Sequence, residues 1–289
     1  MKDRKSYEDL VSDIVEFTNL EKEVVQTMVW DELFDPGINV KKEALTFEID
    51  FHVYDKKMEN FYRSAYGFII ETSVESLRKD KKKVLRTIKK RISTFLDKKN
   101  HKNRINILMM GDGVGEDTIF LYQYFNENAI FFYFDVPGSK TYDFARMNFK
   151  KRKVNVNFIK EYENIPYEFF DIIIFLEVLE HLPDPESSLD GIKNFLKVDG
   201  VIFVTESFYN VTQNFPTHLK SNQKYDGKTP FMFLKRGLLL QYYSKDRSLL
   251  FRPMEFVKKE NINLHDKISL YLDRNVLKKY LYSIFKELT

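Results

Sequence analysis

The chain has 289 residues, 43% of them hydrophobic, and 46 lysines and arginines against 43 acids give a formal charge of +3. These values are ordinary for a globular protein of one large domain, or of one domain with an appended module, and they carry no signature of disorder. There is no cysteine, which excludes disulfides, thiolate metal sites and thiol nucleophiles. No apolar stretch approaches the ~18 residues of a membrane span, and no apolar core of signal-peptide length follows Met1-Lys-Asp-Arg-Lys, so a cytoplasmic location is expected.

Residues 1–80 read as a mainly helical module ahead of a second domain, 81–289. Thr18-Asn-Leu-Glu21 has the form of a capping box ahead of the apolar positions Leu20, Val24, Val25, Met28, Val29 and Leu33, and Asp35-Pro-Gly37 ends that run. Leu45 to Val53 alternates as a strand or an extended connector would. Phe61-Tyr62-Arg63-Ser-Ala-Tyr66 groups aromatics around one arginine. From Arg78 to Arg104 the chain is densely basic, yet Val84, Leu85, Ile88, Ile92, Phe95 and Leu96 recur within it at helical spacing. Its lysines are therefore read as the solvated face of an amphipathic helix rather than as a nucleic-acid surface.

The apolar run Ile105-Asn-Ile-Leu-Met-Met110 then breaks into Gly111-Asp-Gly113-Val-Gly115 and resumes at helical spacing from Glu116 to Leu121. This reads as strand, tight turn and helix, with glycines that tolerate positive φ and let a nucleotide-sized ligand approach the backbone. A dinucleotide fingerprint wants glycine or alanine at position 116, where this chain has Glu116 followed by Asp117. Two carboxylates at the helix start repel a pyrophosphate but not a ligand with a positive sulfur. Ala129-Ile-Phe-Phe-Tyr-Phe134 is a continuous apolar run, expected to be buried on both faces, and ends in Asp135. Val154 to Ile159 alternates like a third strand and leads into Glu161-Tyr-Glu-Asn-Ile-Pro166. Phe170-Asp-Ile-Ile-Ile-Phe-Leu-Glu177-Val-Leu-Glu180-His181-Leu-Pro-Asp-Pro185 follows. Next come a helical stripe from Ser187 to Lys197, a turn at Val198-Asp-Gly200, and an apolar strand from Val201 to Glu206. Residues 207–231 show little periodicity, a pattern that marks an insertion carrying function. Gly237 to Tyr243 and Ser248 to Val257 are candidates for two last strands. A closing helix, about 274–288, has Val276, Leu277, Tyr280, Leu281, Ile284 and Phe285 on one face, to pack on the core or on a second subunit.

The glycine turn and the Phe170–Pro185 segment, which matches F-D-x-V-x-x-x-E-V-L-E-H-L-x-D-P, resemble the class I S-adenosylmethionine-dependent methyltransferases that act on small molecules. The resemblance covers about residues 85–258. It implies an α/β fold, Rossmann-like, with a mostly parallel seven-stranded sheet, helices on both faces and an N-terminal mainly helical cap. It implies S-adenosylmethionine as cofactor, with Gly111, Asp112, Gly113 and Gly115 cradling it. Asp135 and Val136 would lie at the ribose, Glu161 and Tyr162 at the adenine, in place of the family's usual D-A, and Leu176, Glu177 and Val178 along the same crevice. Lys197-Val-Asp-Gly200 departs from the family's K-P-G-G, which affects turn chemistry only. The family's cytosine-C5 members need a cysteine and are excluded, and no N/D-P-P-Y/F motif is present.

Methyl transfer from a sulfonium is an in-line displacement that needs the nucleophile held about 3 Å from the methyl carbon. His218, an imidazole in the insertion where the family binds its acceptor, is the candidate base, with Glu206 at the end of the fifth strand beside it as a catalytic candidate. Tyr62, Arg63, Tyr66, Asn222 and Tyr225 are candidate acceptor contacts, and His181 is expected to fix a helix start. No cluster of histidines and acids has metal-ligand spacing along the chain, so no metal is expected. The expected function is O-methylation of a small molecule or saccharide-type metabolite, with N-methylation close behind. An RNA or protein methyltransferase, or an inactive cofactor-binding regulatory subunit, are the rival readings.

Overall fold

The computed structural model describes residues 6–99, 103–246, 248–249, 251–272, 276–277 and 280. The chain opens with five helices: α1 (Tyr7–Thr18), α2 (Lys22–Phe34), α3 (Ile38–Thr46), α4 (Lys56–Ser64) and α5 (Gly67–Glu75). Then α6 (Lys79–Lys99) leads into β1 (Ile105–Met110), α7 (Glu116–Phe125), β2 (Ala129–Phe134), α8 (Lys140–Lys151) and β3 (Val156–Phe158). They are followed by β4 (Phe170–Leu176), α9 (Pro185–Phe195), β5 (Leu196–Thr205), α10 (Thr229–Leu234), β6 (Leu238–Tyr243), β7 (Met254–Lys258) and α11 (Leu264–Leu272).

The seven strands form one sheet in the order β3-β2-β1-β4-β5-β7-β6. Pairing is parallel from β3 through β5, and β7 runs antiparallel to both β5 and β6. This is the expected Rossmann-like methyltransferase sheet, with helices on both faces. One face carries Ile107, Met109, Ile172 and Ile174 against Ile88, Ile92, Leu121 and Phe149 of α6, α7 and α8. The other carries Leu108, Ile173 and Phe175 against Leu189, Ile192 and Phe233 of α9 and α10. All seven residues of β4 are buried, which is why its sequence is apolar except for Asp171, which pairs with Lys197 at 2.9 Å. By contrast β2 alternates between buried and half-buried positions, since only the three-residue β3 lies outside it.

The N-terminal helices have cores of their own. Leu10, Ile14, Val25, Val29, Ile69 and Val74 close over Val114 of the glycine turn and Phe144 of α8. Val40, Ala44, Met58, Phe61 and Phe68 pack beside them.

Several local expectations need correction. The capping box belongs to α1, where the Ser6 hydroxyl accepts from Asp9 N–H and the Asp9 carboxylate accepts from Ser6 N–H. Thr18 ends that helix, and α2 starts at Lys22 without a side-chain cap. Residues 47–55 are turns, with Glu48 and His52 at positive φ, and form no strand. The 198–200 turn is a break inside β5, with Asp199 at φ 56° and the register to β4 shifting beside it. The 207–231 segment contains a short 3-10 helix, Lys220–Tyr225, and the first half of α10. Of the closing helix, Val276 is buried, Leu277 is exposed and the Tyr280 ring centre lies 5.0 Å from that of Phe231, and the rest of it falls outside the described residues.

Candidate active site

A cavity of about 1080 Å³ lies at the carboxyl ends of β1, β2 and β4, roofed by α4, α5 and the segment after β5. That is the crevice where open α/β sheets bind ligands, and its volume exceeds the ~300–1,000 Å³ of ordinary small-molecule pockets.

One end is built by the glycine turn. Gly111 has φ 67°, and a Cβ there would meet the Val178 side chain at 2.6 Å. Gly115 has φ 81° and starts α7, and a Cβ there would strike the Phe149 ring at 2.5 Å. Gly115 therefore serves helix packing and does not line the cavity, whereas Gly111, Asp112 and Gly113 do. The Asp112 carboxylate accepts from Asp117 N–H at 3.1 Å and Thr118 N–H at 2.8 Å, tying the turn to α7. Glu116 is held by Arg152 in a bidentate pair of 2.9 and 3.1 Å. Asp135 accepts from Gly113 N–H and Val136 N–H, both at 2.7 Å, with its side chain facing the cavity. Burial raises its pKa above the usual carboxylate range, and those two N–H groups pull it back.

Tyr162, Val136, Leu176, Glu177 and Val178 also line the crevice. Glu161 does not, being exposed beside Asn164, so only the second residue of the expected adenine pair reaches it. Glu177 sits at φ 56°, a conformation uncommon for a residue with a Cβ, and its Oε1 is buried without a partner. Burial, then the nearby Glu180, pushes its carboxyl well above its ordinary value.

The sequence gives no notice of the acids contributed by the cap. Glu71 and Glu75 of α5, with Arg78 after it, reach the cavity, and Lys81 of α6 meets Asp117 at 2.9 Å and Glu75 at 3.6 Å. Their one signal is the spacing of Glu71 and Glu75, four apart and so on one face of a helix that also carries Phe68, Ile69, Ile70 and Val74.

The wall formed by the turn after β4 and the loop after β5 carries two histidines. Tyr62 of α4 stacks on Phe68, and its hydroxyl lies 3.0 Å from His181 Nδ1, which also meets the Thr217 carbonyl at 3.2 Å. The His181 and His218 rings lie edge to face at 4.7 Å. Burial lowers the pKa of both imidazoles, His181 to about 4, so both are neutral near pH 7. His218 Nδ1 has no partner, and its other ring nitrogen meets the Asn210 carbonyl. Ser207 donates to Glu180 Oε1, leaving Glu180 Oε2 buried and unpartnered, and burial first raises this carboxyl to about 7. Glu180, His181 and His218 offer ligand atoms within 4.8 Å of one another. Sequence spacing hides this group, because His218 arrives on a loop folded back over the Glu180–His181 turn.

The remaining candidates lie elsewhere. Arg63 is at the rim, donating to the Pro137 carbonyl at 2.8 Å. Tyr66 starts α5 beneath Lys140 and is outside the cavity. Asn222 faces away from it, donating to the Glu180 and Leu182 carbonyls at 3.1 and 2.8 Å, and Tyr225 packs on Phe208. Glu206 is buried behind the cavity wall, with Phe208 N–H donating to it at 3.3 Å.

The methyltransferase domain family matches residues 101–287. This chain belongs to that family. The ubiquinone biosynthesis O-methyltransferase of Glaesserella parasuis serovar 5 (strain SH0165) is 45% identical over 49 residues, 17% of this chain and 21% of that enzyme. The chain thus aligns with well under two thirds of that relative's length. Among solved structures, the CurJ carbon methyltransferase superposes with a TM-score of 0.58 at 13% identity, covering 90% of this chain and 72% of its own. A Nostoc punctiforme PCC 73102 protein assigned as an O-methyltransferase superposes with a TM-score of 0.51 at 16% identity, covering 89% and 75%. Among the described residues no helix is long and apolar enough to cross a membrane.

Proposed function

We propose that the protein transfers the methyl group of S-adenosylmethionine to an oxygen of a small molecule or saccharide-type metabolite. The observation that carries the reading is the buried group of Glu180, His181 and His218, whose two histidines line the cavity. An acceptor hydroxyl must lose its proton during transfer, and neutral imidazoles with a carboxylate beside them handle that proton, which a free amine acceptor does not require. The aromatic walls, Tyr54, Tyr62, Phe68 and Phe215, suit a compact ring-sized acceptor.

The residues fit the cofactor. Gly111 and Gly113 leave the space a Cβ would fill, Asp135 presents a half-buried carboxylate to the ribose hydroxyls, and Asp112, Glu71 and Glu75 surround the place for an ammonium group. Arg78 is the cation in reach of its carboxylate. When bound, the cofactor supplies a methyl group already activated on a sulfonium. The protein's residues hold it, orient the acceptor in line and exclude water under the helical cap, residues 1–80, which we assign as the substrate module.

Full-length protein given methyl-labelled cofactor and extract of its own cell is expected to place label on an oxygen of a small metabolite. His218→Ala is expected to lower turnover by about 10²–10⁴ while leaving S-adenosylhomocysteine affinity intact. Label found only on nitrogen, RNA or protein would overturn the reading.

A further inference from the structure

We infer that Glu180, His181 and His218 bind a divalent cation at the acceptor end of the cavity. Their donor atoms lie within 4.8 Å of one another. Ligands about 2.1 Å from an ion are separated by about 3–4.2 Å, so small side-chain shifts close the set. Two of the three present bare buried atoms: Oε2 of Glu180, 1% exposed, and Nδ1 of His218, 6% exposed. Unpaired polar atoms in such a setting are costly unless something occupies them.

The surrounding contacts orient ligands rather than quench them. The Asn210 carbonyl holds the far nitrogen of His218, which fixes the tautomer that leaves the Nδ1 lone pair free. The Thr217 carbonyl and Tyr62 hydroxyl engage Nδ1 of His181, leaving its Nε2 to ligate. Ser207 holds the second oxygen of Glu180, and Asn222 and the Leu219 N–H clamp the Glu180 carbonyl. Hydrogen bonds of this kind are the usual outer support of a metal centre. Glu177 adds another bare oxygen from the same turn. Among the described residues neither Glu177 nor Glu180 has a lysine or arginine within ion-pair distance, so the corner has no cation of its own.

Two imidazoles and a carboxylate suit a first-row divalent ion, and three protein ligands leave positions open towards the cavity. Resting on the oxygen-acceptor reading above, those positions take the acceptor oxygen. With the ion bound, the acceptor hydroxyl ionises more readily and gives its proton to water; without the ion, that proton passes to the imidazoles as described above.

The test uses full-length protein stripped by chelation and titrated with Mn²⁺, followed by loss of the free-ion resonance signal. One saturable Mn²⁺ per chain is expected, with affinity lowered about 10²-fold or more in Glu180→Gln and His218→Ala. S-adenosylhomocysteine binding by calorimetry verifies that each variant is folded. Absence of saturable binding in wild-type protein that binds S-adenosylhomocysteine overturns the site, as does unchanged Mn²⁺ affinity in folded variants. Oxygen methylation that persists in chelator without ion binding removes the site and leaves the functional reading. Saturable binding with label only on nitrogen removes that reading and leaves the site.

Discussion

Asp135 shows how one carboxylate serves both the turn and the cavity. It fastens Gly113 and Val136 by their N–H groups while its side chain stays on the cavity wall. If it also receives the ribose hydroxyls, Asp135→Ala should weaken S-adenosylhomocysteine binding by about 1.5–3 kcal/mol, the range for hydrogen bonds to charged groups. Calorimetry reads this directly, and an unchanged affinity would move the ribose partner elsewhere. Residues on the glycine turn and at strand ends are legible in sequence because backbone geometry alone delivers them to the crevice. Asn222 and Tyr225 were not. They share a polar loop with His218, but the 3-10 helix at Lys220–Tyr225 rotates them onto the outer side, where Asn222 braces the Glu180–His181 turn.

At the scale of elements, the cap and the loop after β5 are locked together. Gly37, at φ 83° and starting α3, donates to Glu32, and a Cβ on it would meet the Asn214 carbonyl at 2.2 Å. His52 N–H donates to the Pro216 carbonyl at 2.7 Å, and His52 Nδ1 lies 2.9 Å from the His218 carbonyl. Gly37→Ala should therefore cost on the order of 1–3 kcal/mol of stability and displace the 210–218 loop. A thermal melt and steady-state kinetics should show a lower Tm and a raised KM for acceptor, with S-adenosylhomocysteine affinity little changed. A variant with wild-type KM would uncouple cap from loop. The docking was invisible in sequence, since it joins turns as much as 166 residues apart and neither turn's local pattern names its partner.

The long basic helix α6 was more legible. Ile88 and Ile92 are fully buried on the sheet, Lys81 pairs with Asp117, and Arg91 pairs with Glu255 at 2.5 Å. Nucleic-acid binding through such a helix would weaken steeply as salt rises, by a term for each phosphate contacted. In a filter assay we expect no competitive RNA binding at physiological salt. Tight, steeply salt-dependent retention would make this helix a docking surface instead.

For the whole molecule, the sheet order was readable because each parallel strand is an apolar run ended by a turn, and right-handed crossovers leave few alternatives. The charge state of the cavity was not, since its acids come from five helices, α2, α4, α5, α6 and α7, and from four turns, at Asp35, Asp112, Asp135 and Glu177. Glu71 faces Glu32, Glu75 and Arg78, and Asp112 faces Asp117 and Lys81. Burial is the largest cause raising Glu32, Glu71, Asp112, Asp117 and Asp135 above their ordinary values, with neighbouring acids raising Glu71 and Asp112 further. A folded carboxyl with a raised pKa binds its proton more tightly than the unfolded chain does. Its contribution to stability is present below the unfolded pKa and is lost as pH rises through the folded value. His181 and His218, with lowered pKa values, work the other way up to the unfolded histidine pKa, so the loss of Tm through these acids should be read as pH is raised above about 7. S-adenosylmethionine, which brings an ammonium and a sulfonium, favours the ionised carboxylates and should release protons on binding. Its affinity should then rise with pH, by up to about tenfold per unit for each proton released. S-adenosylhomocysteine lacks the sulfonium charge and should gain less over the same range. Calorimetry in buffers of different ionisation enthalpy measures the proton release, and equal pH slopes for the two ligands would show that the buried acids do not face the sulfur.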